Sequence, residues 1–352
     1  MKIYRGPLAA SAALALTLSA CGGSTGSSSG GASGSSEADC GTDEVFCVGM
    51  VTDAGKVDDK SFNQSAWEGI ETAAEKTDAL VKYIETTDSK DYAANIAKFT
   101  DKDYDVVVTV GFLMQDATAE AAAEYPDTHF IGVDQAQAET IENLTGLVFP
   151  EDQAGYAAGY LAGLMTTSNK VGQVLGSEIP PVQRFALGFT AGAKASNPQV
   201  SVSQVYHPAD PNAFADPVWG ANESKKQLSQ GADVIFGAGG KTGNGALGEI
   251  AKASGAGDSV FCIGVDTDQY ETVPEARPCL VTSAMKLIDE GVAELITQAK
   301  DGSIKGGDFV GDVGLAPYHD LDGKVPEETK TKVTDVVKGL QDGSIKTSVS
   351  LS

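Results

Sequence analysis

The sequence predicts an α/β protein built as two doubly wound parallel-sheet lobes joined by a hinge. Three observations predict it. Apolar runs of five to seven residues alternate with stretches of helical spacing along most of the chain. The alternation restarts after residue 149, and two phrases recur in the restarted half: Tyr104-Asp-Val-Val-Val-Thr-Val-Gly111 is answered by Ala232-Asp-Val-Ile-Phe-Gly237, and Ile131-Gly-Val-Asp134 by Ile263-Gly-Val-Asp266. Polar residues follow the carboxyl ends of strands in both halves, the edge at which open α/β sheets hold ligands. Two such lobes around a common groove form a clamshell, a known arrangement for hinge closure.

The elements follow in order. Val45–Val51 reads as a buried strand and Ser65–Ala74 as a helix. Ala79–Ile84 is a strand, 91–100 a helix, Tyr104–Val110 a strand and 115–124 a helix. Thr128–Val133 and Leu144–Phe149 are strands. The second half opens with an Ala/Gly-rich helix over 152–165, then strand Lys170–Leu175 and a helix over 183–195 ended by Asn197-Pro198. Val200–Tyr206 is a strand, 219–230 a helix, and Ala232–Phe236 a strand closed by Gly237-Ala-Gly-Gly240. Strands over Val260–Val265 and Leu280–Ser283 follow.

The first residues have a different character. Met1-Lys2-Ile-Tyr-Arg5 is basic, Leu8–Leu18 is apolar, and Leu18-Ser19-Ala20-Cys21 closes the run. This is the layout of a secretory signal peptide, too short to span a membrane. Its end resembles the lipobox of bacterial lipoproteins, which implies cleavage before Cys21 and acylation of that residue. Gly22–Ser36 has no large apolar side chain and reads as a flexible tether. The expected division is therefore a signal peptide over 1–20, a lipidated Cys and linker over 21–43, one lobe from 44–148 plus 283–312, and a second from 149–282 plus 313–352.

Without the two bases of the leader the chain carries 23 basic against 49 acidic side chains, a formal charge of −26. Such a surface argues against nucleic-acid binding and disfavours anionic ligands. Apart from Cys21 there are four cysteines: Cys40, Cys47, Cys262 and Cys279. An even number outside the cytosol suggests disulfides, for which sequence allows three connectivities. Local pairs, Cys40–Cys47 and Cys262–Cys279, are the simplest. Four reduced thiols are the alternative; zinc is disfavoured, since no CxxC occurs.

The most informative stretch is Asp53-Ala-Gly-Lys-Val-Asp58-Asp59-Lys60-Ser61-Phe62-Asn63-Gln64, in the turn between the first strand and first helix. It gathers acceptors, an amide and a flat ring, but no nucleophile–base pair, and so reads as a grip for a polar ring compound. Ser61 with Gln64 fits a helix capping box, Asp58 and Asp59 suit a helix N-terminus, and Trp67 falls at core spacing.

Val51–Asn63 resembles the opening motif of the PnrA-like basic membrane protein (BMP) family of lipoproteins. Val110-Gly-Phe-Leu-Met-Gln-Asp116, Arg184–Lys194, Gly231–Gly240, Gly264-Val-Asp266-Thr-Asp268-Gln269 and Thr282-Ser-Ala-Met-Lys286 fit the same family in order. The resemblance runs from about Val45 past Lys286. It implies a type I periplasmic-binding-protein fold and a purine nucleoside (adenosine, guanosine or inosine) as ligand, delivered to the permease and ATPase of an ABC importer. The protein would act as a monomer on the outer face of the cell membrane, without cofactor or metal. Carried over position by position, Phe62 would stack on the base, and Asn63 and Asp116 would bond its edge. Asp53, Asp266 and Lys286 would serve the ribose or base, and Gly240 would let backbone approach. The second ring would be Phe185 or Phe214, between which the motif does not choose.

Two rivals stand beside this reading. A nucleoside hydrolase would also open with a strand and an aspartate cluster holding calcium, but position 51 is Val and the spacing from Asp53 to Asp58-Asp59 is too long. His129, His207 and His319 form no catalytic pattern, and outside the Gly/Ser tract no Gly-x-Ser-x-Gly or Walker sequence occurs. A surface lipoprotein that senses a ligand or adheres would need the same pocket.

Overall fold

The computed structural model describes residues 36–42 and 44–351; the leader, Cys21 and most of the Gly/Ser tract lie outside the described residues. The first half runs β1 (Cys47–Thr52), α1 (Phe62–Thr77), β2 (Leu80–Glu85), α2 (Tyr92–Thr100), β3 (Val106–Val110), α3 (Gln115–Glu124), β4 (His129–Val133) and β5 (Leu144–Val148). The second runs α4 (Glu151–Met165), β6 (Lys170–Leu175), α5 (Pro180–Ser196), β7 (Ser201–Tyr206), α6 (Pro217–Ser229), β8 (Val234–Ala238), α7 (Gly240–Ile250), β9 (Phe261–Asp266), α8 (Gln269–Thr272) and β10 (Leu280–Lys286). Then come α9 (Ile288–Lys300), β11 (Gly307–Val310), β12 (Val313–Leu315) and α10 (Glu327–Gln341).

These strands make two six-stranded sheets, ordered β11-β5-β4-β3-β1-β2 and β12-β10-β9-β8-β6-β7. All pairs are parallel except β10 with β12. Helices cover both faces, so central strands such as β1, β3 and β8 are buried throughout and read as unbroken apolar runs. The edge strands β2 and β7 keep polar, partly exposed side chains. In each sheet the strand order reverses beside its first strand, between β1 and β3 and between β6 and β8. Those reversals mark where each lobe can hold a ligand.

The chain passes between the sheets three times, at 149–150, at Leu287 and at 311–312. After Leu287, Ile288, Val292, Leu295 and Ile296 of α9 join the core of the first lobe, and β11 then pairs with β5. Backbone bonds stitch the passes together: Gly311 N–H to Val148 C=O at 2.8 Å and Leu287 N–H to Asp312 C=O at 3.0 Å.

Helices α4 and α5 approach unusually closely. A Cβ on Gly155 or Gly159 would overlap the carbonyls of Phe185 or Phe189, and one on Gly188 or Gly192 those of Asp152 or Tyr156. This contact sets the start of α4 beside Arg184 and Phe185. Disulfides join Cys40 to Cys47 and Cys262 to Cys279, with Cα–Cα distances of 5.7 and 5.1 Å, the local connectivity of the three. The first pins the start of the fold to β1, and the second ties β9 to the entrance of β10. No helix among the described residues is long and apolar enough to cross a membrane.

Candidate functional site

Both strand-order reversals open into one cavity between the lobes. From the first lobe it is lined by Asp53, Ala54, Asp59, Phe62, Asn63, Gly111, Phe112 and Asp134. The second lobe contributes Ile179, Pro181, Val182, Phe185, Phe214, Ala238, Gly239, Gly240, Val265, Asp266 and Lys286. Eight of the nine ligand-binding candidates read from the sequence therefore converge there: Asp53, Phe62, Asn63, Phe185, Phe214, Gly240, Asp266 and Lys286. Asp116, in the first turn of α3, is exposed and lies outside the wall.

The turn after β1 folds around its own backbone. Asp59 accepts hydrogen bonds from the N–H groups of Ser61, Asn63 and Gln64 at 2.9, 2.9 and 3.1 Å, and so caps α1 itself. The capping box expected of Ser61 and Gln64 is absent: the Ser61 side chain makes no capping bond, because its Oγ donates to Asp266 Oδ2 across the cleft at 2.7 Å. Asn63 donates from Nδ2 to the carbonyls of Ala54 and Lys56 at 2.8 and 3.3 Å, while its buried Oδ1 has no partner in the protein. Both amide hydrogens are thus held by the turn, and the acceptor oxygen is left over.

Asp53 accepts from the Leu113 N–H at 2.9 Å. It packs so closely on Gly111 that a Cβ there would overlap its carboxylate, and Gly111 also has φ +115°, so only glycine fits. Burial pushes the Asp53 carboxyl up to about 7 against the pull of the Leu113 N–H. Burial does the same to Asp59, also to about 7, against its three backbone bonds.

Lys286, the last residue of β10, is 3 % exposed. Its Nζ lies 2.6 Å from Asp134 Oδ2 and 3.9 Å from Glu151 Oε1. The rings of Phe62, Phe149 and Phe185 surround the ammonium, with centroids 4.6, 5.4 and 5.7 Å away. Burial alone would lower its pKa, but Asp134, Asp266 and Glu151 together hold it above the ordinary lysine value. Asp134 and Asp266 occupy equivalent turns after β4 and β9, both in the left-handed region at φ 63° and 65°. Asp134, Asp59 and Glu151 were not among the expected site residues. The repeated Ile-Gly-Val-Asp phrase is the signal that points to Asp134.

The turn after β1 also latches the lobes together. Lys60, itself left-handed at φ 61°, presents its carbonyl to Thr272 Oγ1 at 2.9 Å and Gln269 Nε2 at 3.3 Å. Asn244 Nδ2 donates to the Asp59 carbonyl at 2.8 Å, and Lys241 Nζ to Asp58 at 2.6 Å. The cleft is therefore closed by a seam of polar contacts at its mouth, with the aromatic and charged wall behind it.

The raised carboxyls predict a pH dependence. A group that binds its proton more tightly folded than unfolded contributes fully below its unfolded pKa, and that contribution is lost as pH rises through the folded value. Asp53 and Asp59 pass from an ordinary value of 3.8 to about 7. The melting temperature of the ligand-free protein is therefore expected to fall between about pH 4 and pH 7; scanning calorimetry across that range checks it, and a flat profile contradicts the burial of these two acids.

Two α/β lobes of parallel sheet with a polar and aromatic cavity between them define a protein of the type I periplasmic-binding-protein fold. The chain belongs to the Bmp family, described as ABC transporter substrate-binding protein PnrA-like, whose model matches residues 46–313. It is 34% identical over 320 residues to the CD4+ T-cell-stimulating antigen of Listeria monocytogenes, covering 86% of this chain and 87% of that one. It is 30% identical over 275 residues to the ABC transporter nucleoside-binding protein BmpA of Lactococcus lactis subsp. cremoris, covering 74% of this chain and 77% of that one. Among solved structures, an ABC transporter solute-binding protein of Aeropyrum pernix K1 superposes with a TM-score of 0.78 at 23% identity, covering 86% of this chain and 92% of that one, which supports the fold.

Proposed function

We propose that the protein captures purine nucleosides outside the cell and releases them, chemically unchanged, to an ABC importer. The observation that carries this reading is the composition of the cavity wall: the rings of Phe62, Phe185 and Phe214 beside the carboxylates Asp53, Asp134 and Asp266 and the ammonium of Lys286. A purine offers two apolar faces to rings and a polar edge and sugar to carboxylates, and each stacked base contributes about 1–3 kcal/mol. The relative named as a nucleoside-binding protein supports the same ligand class. The cavity acids count against phosphorylated ligands, whose negative charge would meet Asp134, and Asp53 and Asp266 where these are ionised, in a poorly solvated space. The leader and Cys21 support a lipid anchor on the outer face of the membrane, with Gly22–Ser36 as tether.

Calorimetric titration with adenosine, guanosine, inosine, free adenine, ribose and AMP tests the reading. The three nucleosides are expected to bind far more tightly than ribose or AMP. Heat from a free sugar with none from any nucleoside would overturn the ligand and leave the family intact. Free base appearing during prolonged incubation with inosine and calcium would instead show hydrolysis.

A further inference from the structure

Glu151 is the first residue of α4, lies just past the first pass between the lobes and is only 1 % exposed. It does not line the cavity. Its Oε1 stands 3.9 Å from Lys286 Nζ, its Oε2 stands 3.6 Å from Arg184 Nη1, and Oε2 makes no hydrogen bond. Lys286 does line the cavity and is held at 2.6 Å by Asp134, which lines it too. One ammonium is thus shared between a carboxylate in the wall and a carboxyl behind it, at the hinge.

We propose that Glu151 is a positioning residue for the ligand: its charge decides whether the Lys286 ammonium is drawn back toward the hinge or offered to the cavity. An ammonium has three N–H donors. Asp134 takes one. A neutral Glu151 leaves the others free for a ligand oxygen, whereas an ionised Glu151 competes for one of them and pulls Nζ away from the wall. The charged groups around this pair are Asp134 at the end of β4, Asp266 at the end of β9, and Arg184 on α5 beside Glu151. Burial pushes the Glu151 carboxyl well above the ordinary carboxylate range, with Lys286 and Arg184 pulling down and Asp134 pushing up. Glu151 therefore changes charge within an accessible pH range, and ligand affinity falls as pH rises through it. Burial pushes Asp53 and Asp59 up to about 7, and Glu151 is not among the main causes for either.

The inference rests on the nucleoside reading only through the ligand used to probe it. Adenosine affinity is measured by calorimetry from pH 6.5 to 9.5 for the wild-type protein and Glu151→Gln, whose side chain keeps the shape and carries no charge. Beyond any fall shared with the variant, wild-type affinity is expected to drop by about tenfold, the worth of one hydrogen bond to a charged group. The variant's profile stays within about threefold over that range on the same accounting. An unchanged profile in Glu151→Gln overturns the proposal. A second measurement needs no ligand and no Gln variant: in protein carrying 13C-labelled lysine, the Lys286 Cε resonance is expected to step between pH 6.5 and 9.5, and Arg184→Gln moves that step to higher pH. Absence of the step, or a step indifferent to Arg184, overturns the proposal as well. If no nucleoside binds the wild-type protein, the nucleoside reading fails while the Lys286 resonance still decides the role of Glu151.

Discussion

Replacing Lys286 with methionine is expected to remove nucleoside binding and to destabilise the protein by about 3–5 kcal/mol, the usual cost of breaking a buried charge pair from one side. Asp134, Asp266 and Glu151 all lie beside its ammonium; Asp266 and Glu151 are buried, and the Asp134 side chain is 6 % exposed. Without it, three carboxyls face one another in a space that water enters poorly, and they relieve the repulsion only by taking up protons. Urea unfolding of Lys286→Met should therefore show a loss that grows with pH. The double variant Lys286→Met with Asp134→Asn separates the two roles of the lysine. Removing one of the stranded carboxylates restores part of the stability, but it returns no donor to the cavity, so binding stays lost. If Lys286→Met unfolds at the wild-type urea concentration, the buried charge cluster does not contribute to stability as argued.

Phe62→Ala is the complementary case. Phe62 is the first residue of α1, half-buried at the margin of the first lobe's core, and it lines the cavity with its face near Lys286. Losing a stacking ring is expected to weaken adenosine and guanosine binding by about 10- to 100-fold, from about 1–3 kcal/mol per stacked base. Thermal stability should change little, since the core beneath is completed by Ala66, Ile70 and Val292. A collapse of the melting temperature with modest loss of affinity would instead assign Phe62 to the core.

Much of this architecture was legible in the sequence because its signals are local. Parallel strands buried on both faces leave apolar runs that need no tertiary knowledge to recognise, and β6 and α3 match their expected bounds throughout. The turn after β1 stood out because it crowds acids, an amide and a ring between two clear elements. What escaped depends on contacts distant along the chain. Ser61 looks like a cap until Asp266, 205 residues away, takes its hydroxyl. Glu151 looks like any acid opening a helix until β10 brings Lys286 beside it. Helix α7 escaped for a different reason. It opens Gly240-Lys-Thr-Gly-Asn-Gly, a run of poor helix formers, and packing against α6 rather than propensity sustains it. Among the site residues Asp134 was the omission with a visible signal, since the phrase that ends in Asp266 also ends in Asp134; α9 and α10, whose apolar spacing is helical, also went unread.

The three stitched passes between the sheets have a mechanical corollary. A lone connecting strand allows both bending and swivelling. Three strands side by side, joined by the bonds from Gly311 to Val148 and from Leu287 to Asp312, share a bend but oppose one another under torsion. Opening is thereby confined to one angular coordinate. A single pair of fluorescent labels, one per lobe, should capture the whole excursion, and its relaxation after rapid mixing with ligand should follow one exponential.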